Sequence, residues 1–360
     1  MKKIGYQVSM LPTGEKNQRN SEGSFLRLKD GGILYVYSRF GAGGSDEAPS
    51  DIAYMVSYDE GETWSEPAIL QEHDPASINY MCPSLLRMDN GDVGLIYLRK
   101  YADQTSDPEN GVYPGNEMDM VMFTRSSDEG KTWSEPMCVT AGSEYIIIEN
   151  DRVIRLQNGR ILIPANHHSH IEDGRVVVDY RAKMFMIASD DDGRSWYWLS
   201  DTYEIPHPKS SRTGLQETVI YEQEDGRIRA LSRTDRLCQY ECYSEDGGKT
   251  WGEVYPNPFF SSPISPLSIK RACGYTVAIW NPIPNYTGRE LKEWSGRTPC
   301  ILAVSESDGA SFDRMYYIEN DPQFGCCYSA IFDGGAYMLV GYFIFGSSKI
   351  VKIRKEELSI

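Results

Sequence analysis

The sequence predicts an all-β fold, and more specifically a six-bladed β-propeller. One eight-residue phrase recurs five times at intervals near 60 residues, short apolar runs flank Asp-Gly and Asn-Gly pairs, and no long segment has a sustained helical period. A repeat of about 60 residues accommodates four strands and their turns, which make one propeller blade. Six such repeats account for the 360 residues of the chain.

The repeated phrase predicts a tight turn between two strands. Its copies read SYDEGETW at 57–64, SSDEGKTW at 126–133, SDDDGRSW at 189–196, SEDGGKTW at 244–251 and, in a degenerate form, SESDGASF at 305–312. The aspartate at the third position can accept hydrogen bonds from backbone N–H groups. The glycine at the fifth position suits a positive φ, and the final tryptophan can pack against the blade. By itself the phrase predicts structure and no chemistry.

A second repeated pattern predicts β-hairpins, because apolar runs joined by Asp-Gly or Asn-Gly favour two strands and a short turn. The hairpins read SFLRLKDGGILYVYSRF, SLLRMDNGDVGLIYLRK, DRVIRLQNGRILIP, ETVIYEQEDGRIRALSR and YSAIFDGGAYMLVGYF. No Pro-, Ser- or Gly-rich linker interrupts them, so we expect one domain over residues 1–360. A strand at 3–8 is expected to complete the last blade.

Composition excludes several classes of partner. The net charge is −16, from 36 basic and 52 acidic residues, so nucleic acid and anionic membranes are poor partners. No stretch approaches the ~20 apolar residues of a membrane-spanning helix. The first residues contain no apolar run typical of a signal peptide, so we expect a cytoplasmic protein. Its eight cysteines are then expected to be buried free thiols.

Four residues are placed where propeller strands begin or end. Glu217 precedes one hairpin, Arg233 follows it by 16 residues, Arg297 precedes the last copy of the turn, and Tyr328 opens the final hairpin. The innermost strands of a propeller converge on a central channel, so residues at their ends meet at one mouth. Any one of these residues alone would be structural, but the four together predict a shared site.

These spacings resemble the sialidase superfamily of glycoside hydrolases, and the repeated turn resembles the Asp-box of that family, which also occurs in non-enzymatic propellers. The family has a Glu with an Arg 16 residues later, an Arg eight residues before the Ser of a late Asp-box, a Tyr in a Y-S-x-[LI] motif, and an Asp in a loop before the first box. The matching residues are Glu217, Arg233, Arg297 before Ser305, Tyr328, and Asp46 with Asp51 in reserve.

The resemblance implies a retaining exo-glycosidase that releases a terminal acidic sugar from a glycan or oligosaccharide, with sialic acid as the first candidate. The anomeric carboxylate of such a sugar repels an anionic nucleophile, so Tyr328 would attack, with Glu217 as its base. Asp46 would protonate the leaving oxygen and then activate water. Arg233 and Arg297 would bind the substrate carboxylate. No cofactor or metal is implied.

The sequence departs from the family at one important position. Sialidases open the first blade with the arginine of an F/Y-R-I-P motif, whereas Ser21 or Glu22 stands at that place here. A glutamate would oppose a substrate carboxylate, and Arg19 or Arg152 would have to compensate. Two alternatives therefore stay open. One is a non-catalytic glycan-binding propeller, and the other is a hydrolase or lyase acting on a uronic acid or another non-sialic glycan.

Two further sets of residues are candidate sugar contacts. The run NHHSH at 166–170 lacks the further ligands of a metal site, so we expect a loop from which His167 or His168 contacts sugar hydroxyls. Trp280 and Trp294 could stack on a sugar face, or could equally be packing residues of a blade.

Overall fold

The computed structural model describes residues 1–101, 112–113, 119–140, 145–172, 175–206, 211–282 and 295–359. Trp294 lies outside these ranges. The strands of the first half are β1 Tyr6–Met10, β2 Arg19–Arg27, β3 Ile33–Phe40, β4 Ser50–Ser57, β5 Ala68–Gln71, β6 Ser77–Arg87, β7 Val93–Tyr101, β8 Val112–Tyr113, β9 Asp119–Ser126, β10 Met137–Cys138, β11 Ile146–Ile147, β12 Ile154–Arg155 and β13 Ile161–Glu172. Those of the second half are β14 Arg175–Ser189, β15 Tyr197–Trp198, β16 Gln216–Glu222, β17 Ile228–Arg233, β18 Cys238–Ser244, β19 Tyr255–Ser261, β20 Ser268–Ala272, β21 Tyr275–Trp280, β22 Cys300–Ser305, β23 Arg314–Glu319, β24 Cys326–Asp333, β25 Tyr337–Ile344 and β26 Ser347–Arg354. Two short 3-10 helices, η1 Ser295–Arg297 and η2 Lys355–Leu358, are the only helices in these ranges.

The strands of the described residues form five sheets in a propeller arrangement, which confirms the predicted all-β class. Four sheets each contain one repeat: β8 with β11–β15, β16–β19, β20–β23, and β1 with β24–β26. The fifth sheet has eight strands, because one parallel bridge between Ser50 and Asn79 joins the meander β2–β5 to the meander of β6, β7, β9 and β10. The prediction of six separate blades is therefore wrong. Sequence spacing counts repeats but does not show which of them share hydrogen bonds.

The N-terminal strand closes the last sheet. β1 pairs antiparallel with β26, with Tyr6 opposite Lys352 and Met10 opposite Lys349. An early strand and the last strands of the chain therefore share one sheet, so this pairing closes the last blade. The predicted closing strand is confirmed, although it begins at Tyr6 and Lys3 makes a separate bridge to Tyr317. The five predicted hairpins are also confirmed, as the pairs β2–β3, β6–β7, β12–β13, β16–β17 and β24–β25.

Apolar side chains fill the spaces between neighbouring meanders. Strand β3 is buried on both faces, since Ile33 and Tyr35 pack toward Leu339 of the last sheet while Leu34 and Val36 pack toward the second meander. Successive residues of a strand point to opposite faces, so one apolar run serves two interfaces. Burial of each large side chain stabilises the fold by roughly 1.5–3 kcal/mol.

The four complete copies of the repeated turn share one set of hydrogen bonds. In the third copy, Asp191 accepts hydrogen bonds from the hydroxyl of Ser189 at 2.9 Å, and from the backbone N–H and hydroxyl of Ser195 at 2.8 and 2.6 Å. Asp59, Asp128 and Asp246 accept the equivalent bonds. The glycines of these turns have φ between 78° and 88°, as predicted. The turn is therefore a self-contained local structure.

Seven of the eight cysteine thiols are buried, whereas Cys138 is exposed, contrary to the expectation that all are buried.

Across the described ranges, no helix has the length and apolar character needed to cross a membrane. Within the same ranges, no group of three or more His, Cys, Asp and Glu side chains could hold a metal ion.

Candidate active site

A cavity of about 840 Å³ lies where the first residues of several inner strands meet. Glu22 of β2, Glu217 of β16, Arg233 of β17 and Tyr328 of β24 all contribute to its wall, together with Arg297 of η1. Residues separated by up to 306 positions in the chain are thus brought to one mouth of the channel. This is the convergence that the propeller topology predicts.

The inner strands reach this cavity through β-bulges. Glu22, Cys82, Glu217 and Tyr328 have φ of 45°, 56°, 47° and 56°, and each lies where the register of its strand shifts. Positive φ is costly for non-glycine residues, and such strain concentrates at functional sites. A bulge also redirects a side chain. Here it turns one side chain from each of four strands into the cavity.

Tyr328, Glu217 and Arg233 form a connected group. The hydroxyl of Tyr328 donates to Oε1 of Glu217 at 3.3 Å, and Arg233 forms an ion pair with the same oxygen. The Glu217 side chain is only 12% exposed, and its Oε2 has no hydrogen-bond partner among the described residues. Burial, reinforced by the charge of Glu217, raises the pKa of Tyr328 well above its usual value, so the phenol is neutral at physiological pH.

Arg297 lies over the ring of Tyr328, with its guanidinium carbon 5.5 Å from the ring centroid. It donates to the sulfur of Cys327 at 3.0 Å and to the carbonyl of Ile264 at 3.1 and 3.2 Å. Within the described ranges this guanidinium has no carboxylate partner. It therefore keeps its positive charge available to an anion in the cavity.

Arg19 bridges two carboxylates at the rim of the cavity. Its guanidinium forms ion pairs with Glu22 and with Asp46, and it lies 4.3 Å from the ring centroid of Phe40. Desolvation by the surrounding rim acts to raise the pKa of Asp46, although its side chain is 64% exposed. The charge of Arg19 and its hydrogen bond outweigh that effect and hold the pKa below its usual value. Burial raises the pKa of Glu22, which is only 2% exposed and whose Oε2 has no hydrogen-bond partner among the residues that the structure describes.

The segment Glu149–Arg152 forms hydrogen bonds with the inner strands β2, β6, β20 and β24. All four of its side chains are buried: Glu149, Asn150, Asp151 and Arg152. The amide of Asn150 donates to the backbone carbonyls of Gly23 at 2.6 Å and Tyr328 at 3.3 Å. This segment therefore ties together the two bulges that carry Glu22 and Tyr328.

Asp151 and Arg152 also form hydrogen bonds with strands β2, β20 and β24. Asp151 accepts hydrogen bonds from Ser24, from Lys270 at 2.7 Å and from the N–H of Ile331. Arg152 donates to the hydroxyl of Ser268 at 2.9 Å. Arg152 does not line the cavity, so it does not replace the missing arginine as the sequence analysis allowed.

Other predicted contacts also lie elsewhere. Trp280 is buried against Phe260 and does not line the cavity, and Asp51 pairs with His73. The NHHSH run belongs to strand β13 and is not the loop we expected.

Of the two candidate histidines, only His168 lines the cavity. His167 packs instead on Phe185 and Trp198. Burial lowers the pKa of His168 to about 4, so this imidazole is neutral.

The cavity residues that the sequence did not predict include Cys82, Lys100 and Glu149. Glu149 is 5% exposed, and its Oε1 accepts the N–H of Asn150. Burial, with the nearby charges of Glu217 and Glu22, raises the pKa of Glu149 to about 8. The signal was present in the sequence, since four consecutive polar residues stand directly before an apolar hairpin. The next residue, Asn150, stands at the place that Glu217 occupies in the fourth repeat.

Comparison with known proteins identifies the family. The BNR repeat-like domain family matches residues 37–340, which is most of the chain. The chain belongs to this family. Its predicted place in the sialidase/BNR superfamily is thereby confirmed.

Two curated relatives of this BNR-family chain bear sialidase names. An anhydrosialidase of Macrobdella decora is 25% identical over 244 residues, which cover 62% of this chain and 29% of that protein. A sialidase of Paraclostridium sordellii is 25% identical over 250 residues, covering 64% of this chain and 56% of its own length. The chain thus spans less than two thirds of either relative.

A solved structure shows the same fold. The leech intramolecular trans-sialidase complexed with 2,7-anhydro-Neu5Ac superposes with a TM-score of 0.72 at 16% identity. The match covers 100% of this chain and 71% of the leech chain. At this level of identity the likeness shows the propeller fold alone.

Proposed function

We propose that this chain is a sialidase-like retaining exo-glycoside hydrolase that releases a terminal acidic sugar, with sialic acid as the first candidate. The observation that carries the proposal is the hydrogen bond from the hydroxyl of Tyr328 to Glu217 in a cavity that also contains Arg19, Arg233 and Arg297. The names of the two curated relatives support the same class of reaction.

In the first step Glu217 removes the phenolic proton of Tyr328, and the phenolate oxygen attacks the anomeric carbon. The buried phenol is neutral until the substrate is in place, so it does not repel the substrate carboxylate as an ionised nucleophile would. Arg233 holds the Glu217 carboxylate in position through their ion pair. The developing negative charge on Tyr328 is stabilised by Arg297, which lies over its ring.

Asp46 serves as the acid for the leaving oxygen and then as the base that activates water. Its side chain is 64% exposed at the rim, where a leaving group and water can both reach it. The ion pair with Arg19 keeps Asp46 ionised in the free protein. A substrate carboxylate competes with Asp46 for Arg19, and release of Arg19 raises the pKa of Asp46 toward the range that an acid needs. Two displacements at the same carbon give retention of configuration.

The test is the substitution Tyr328→Phe, assayed on aryl sialosides and aryl uronides. We expect kcat to fall by at least about 10³-fold, because the nucleophile is lost while the fold and the arginines are kept. Tyr97→Phe is the matched control, since it removes another buried phenol whose hydroxyl lies outside the cavity.

Three outcomes contradict this proposal in different ways. Full turnover by Tyr328→Phe on an accepted substrate excludes the tyrosine nucleophile. Glycan binding without any product identifies a non-catalytic binding propeller. A 4,5-unsaturated product that absorbs in the ultraviolet identifies a lyase acting on uronates.

A further inference from the structure

The site as described leaves the substrate carboxylate with an incomplete set of donors. Three arginines line the cavity. Arg19 already binds two carboxylates and Arg233 already binds Glu217, so of these three only Arg297 is without an acidic partner in the described ranges. Where β2 contributes to the cavity wall, the buried carboxyl of Glu22 lines the cavity. An anion bound beside Glu22 needs a compensating hydrogen-bond donor on this side.

Glu149 occupies this side of the cavity. It is 5% exposed, lines the cavity wall, and precedes Asn150, whose amide links the bulges of β2 and β24. Its carboxyl therefore shares the cavity wall with Glu22, Cys82 and Glu217. Glu149 has no role in the reaction steps proposed above.

The surroundings of Glu149 favour its protonated form. The titratable groups that act on it most directly are Glu22, Cys82, Arg152 and Glu217. The other titratable groups lining the cavity are Arg19, Asp46, Lys100, Asp119, Tyr145, His168, Tyr180, Arg233, Arg297, Cys327 and Tyr328. Burial is the largest cause and the charges of Glu217 and Glu22 add to it, whereas the N–H of Asn150 and the charge of Arg152 oppose it, so the pKa of Glu149 rises to about 8. A buried carboxylic acid that keeps its proton near neutral pH can donate a hydrogen bond, as in ketosteroid isomerase.

We propose that protonated Glu149 donates a hydrogen bond to the substrate carboxylate, alongside Arg233 and Arg297, at the place where an F/Y-R-I-P arginine is missing. This inference rests on the proposed function, since it assigns a donor within the same site. It makes Glu149 a substrate-binding residue and makes the binding of sugar acids dependent on one proton. An anionic ligand raises the affinity of Glu149 for that proton further, so ligand and proton bind together.

The experiment is titration calorimetry with 2,3-dehydro-2-deoxy-N-acetylneuraminic acid, an unreactive sugar acid whose own charge is constant between pH 6.5 and 9.5. If only the protonated form donates, Kd for the unsubstituted protein rises roughly 30-fold across this range, because the proton of a group with pKa about 8 is lost. His168 titrates at about 4 and Cys327 at about 12, outside this range. Burial also raises the pKa of Glu22, so the Glu149→Gln variant decides which carboxyl causes the pH dependence.

Glu149→Gln separates a donor role from a structural role. The glutamine amide donates at every pH, so we expect a Kd at pH 6.5 within about threefold of the unsubstituted value and no rise at pH 9.5. Glu149→Met has similar volume but no donor, and we expect Kd to be roughly tenfold weaker and equally flat. Glu222→Gln, which lies in the cavity at the opposite mouth, should keep the full pH dependence.

The result that overturns the inference is a Kd of the unsubstituted protein that stays constant to pH 9.5, or a Glu149→Gln variant that keeps its pH dependence. The proposed function then still stands, because binding itself is intact. If the unsubstituted protein binds no sugar acid at any pH, the proposed function fails and this inference fails with it. Thermal melting of each variant verifies that it is folded.

Discussion

The repeated turns and the bulges of the inner strands both recur around the ring, and both hold non-glycine residues at positive φ. In the turns these residues are Glu60, Glu129, Asp192 and Asp308, with φ from 54° to 63°. In the bulges that line the cavity they are Glu22, Cys82, Glu217 and Tyr328, with φ from 45° to 56°. The backbone geometry is similar, but the turns repeat one sequence whereas the bulges repeat none.

The difference lies in where the hydrogen bonds go. Each complete turn satisfies its aspartate within seven residues of chain, as Asp59 does through Ser57 and Thr63. In the bulges, Glu22 and Glu217 each line a cavity and have one buried oxygen without a hydrogen-bond partner in the described part of the chain. In this protein, the repeated sequence therefore indicates a turn that stabilises the fold. A repeated backbone shape with unlike, unsatisfied side chains marks the site.

The largest effect that this comparison predicts is in a bulge. Glu217→Gln removes the base and the ion pair with Arg233, so kcat on an accepted glycoside should fall by about 10²–10⁴-fold while KM changes less. Steady-state kinetics measure both constants. Glu222→Gln on the same strand is the control, and a kcat for Glu217→Gln within threefold of that control would remove Glu217 from the reaction.

An intermediate effect is expected in a turn, on stability and without loss of activity. Burial acts to raise the pKa of Asp191, but the hydrogen bonds from Ser195 outweigh this and lower the pKa to about 2. Asp191→Asn loses the charge that strengthens these bonds, so the free energy of unfolding at pH 7 should fall by about 1–2 kcal/mol. Denaturant unfolding measures this loss, and kcat at 25 °C should be unchanged.

The same turn predicts a direction for pH dependence. Because the folded pKa of Asp191 lies below its ordinary value of 3.8, the stabilisation is present above about pH 4 and is lost as the pH falls through 2. The stability difference between Asp191→Asn and the unsubstituted protein should therefore shrink between pH 4 and pH 2. A difference that stays constant over this range would show that the charge of Asp191 contributes nothing.

The smallest effect is a gain in the degenerate fifth turn. Ser307 stands at the aspartate position, and its hydroxyl oxygen accepts the N–H of Ser311 and contacts the Ser311 hydroxyl, both at 2.9 Å. Ser307→Asp should form both bonds with a charged acceptor and stabilise the protein by about 0.5–1 kcal/mol, which raises Tm by about 1–3 °C. Differential scanning calorimetry measures the shift. Adding Ser311→Ala should abolish the gain, and a gain that survives this change has another cause.

The sequence predicted much of the fold because its determinants are local. The hydrogen bonds of each turn and the alternation of each hairpin lie within about a dozen residues, so the letters alone indicate them. Tyr328, Glu217, Arg233 and Arg297 were also accessible, through spacings that resemble those of the sialidase superfamily. The number of separate sheets could not be predicted from the sequence, because the bridge between Ser50 and Asn79 depends on how two meanders meet in space.

For the site, the sequence by itself determined which side chains stand at strand ends and hence which could face a channel. Only the tertiary structure decided which of them do so: Arg19 and Glu149 line the cavity, whereas Arg152 and Trp280 lie outside it. The physical reason is that a side chain's orientation at a bulge, its burial and its pKa depend on partners hundreds of residues away. Those partners come together only when the ring closes.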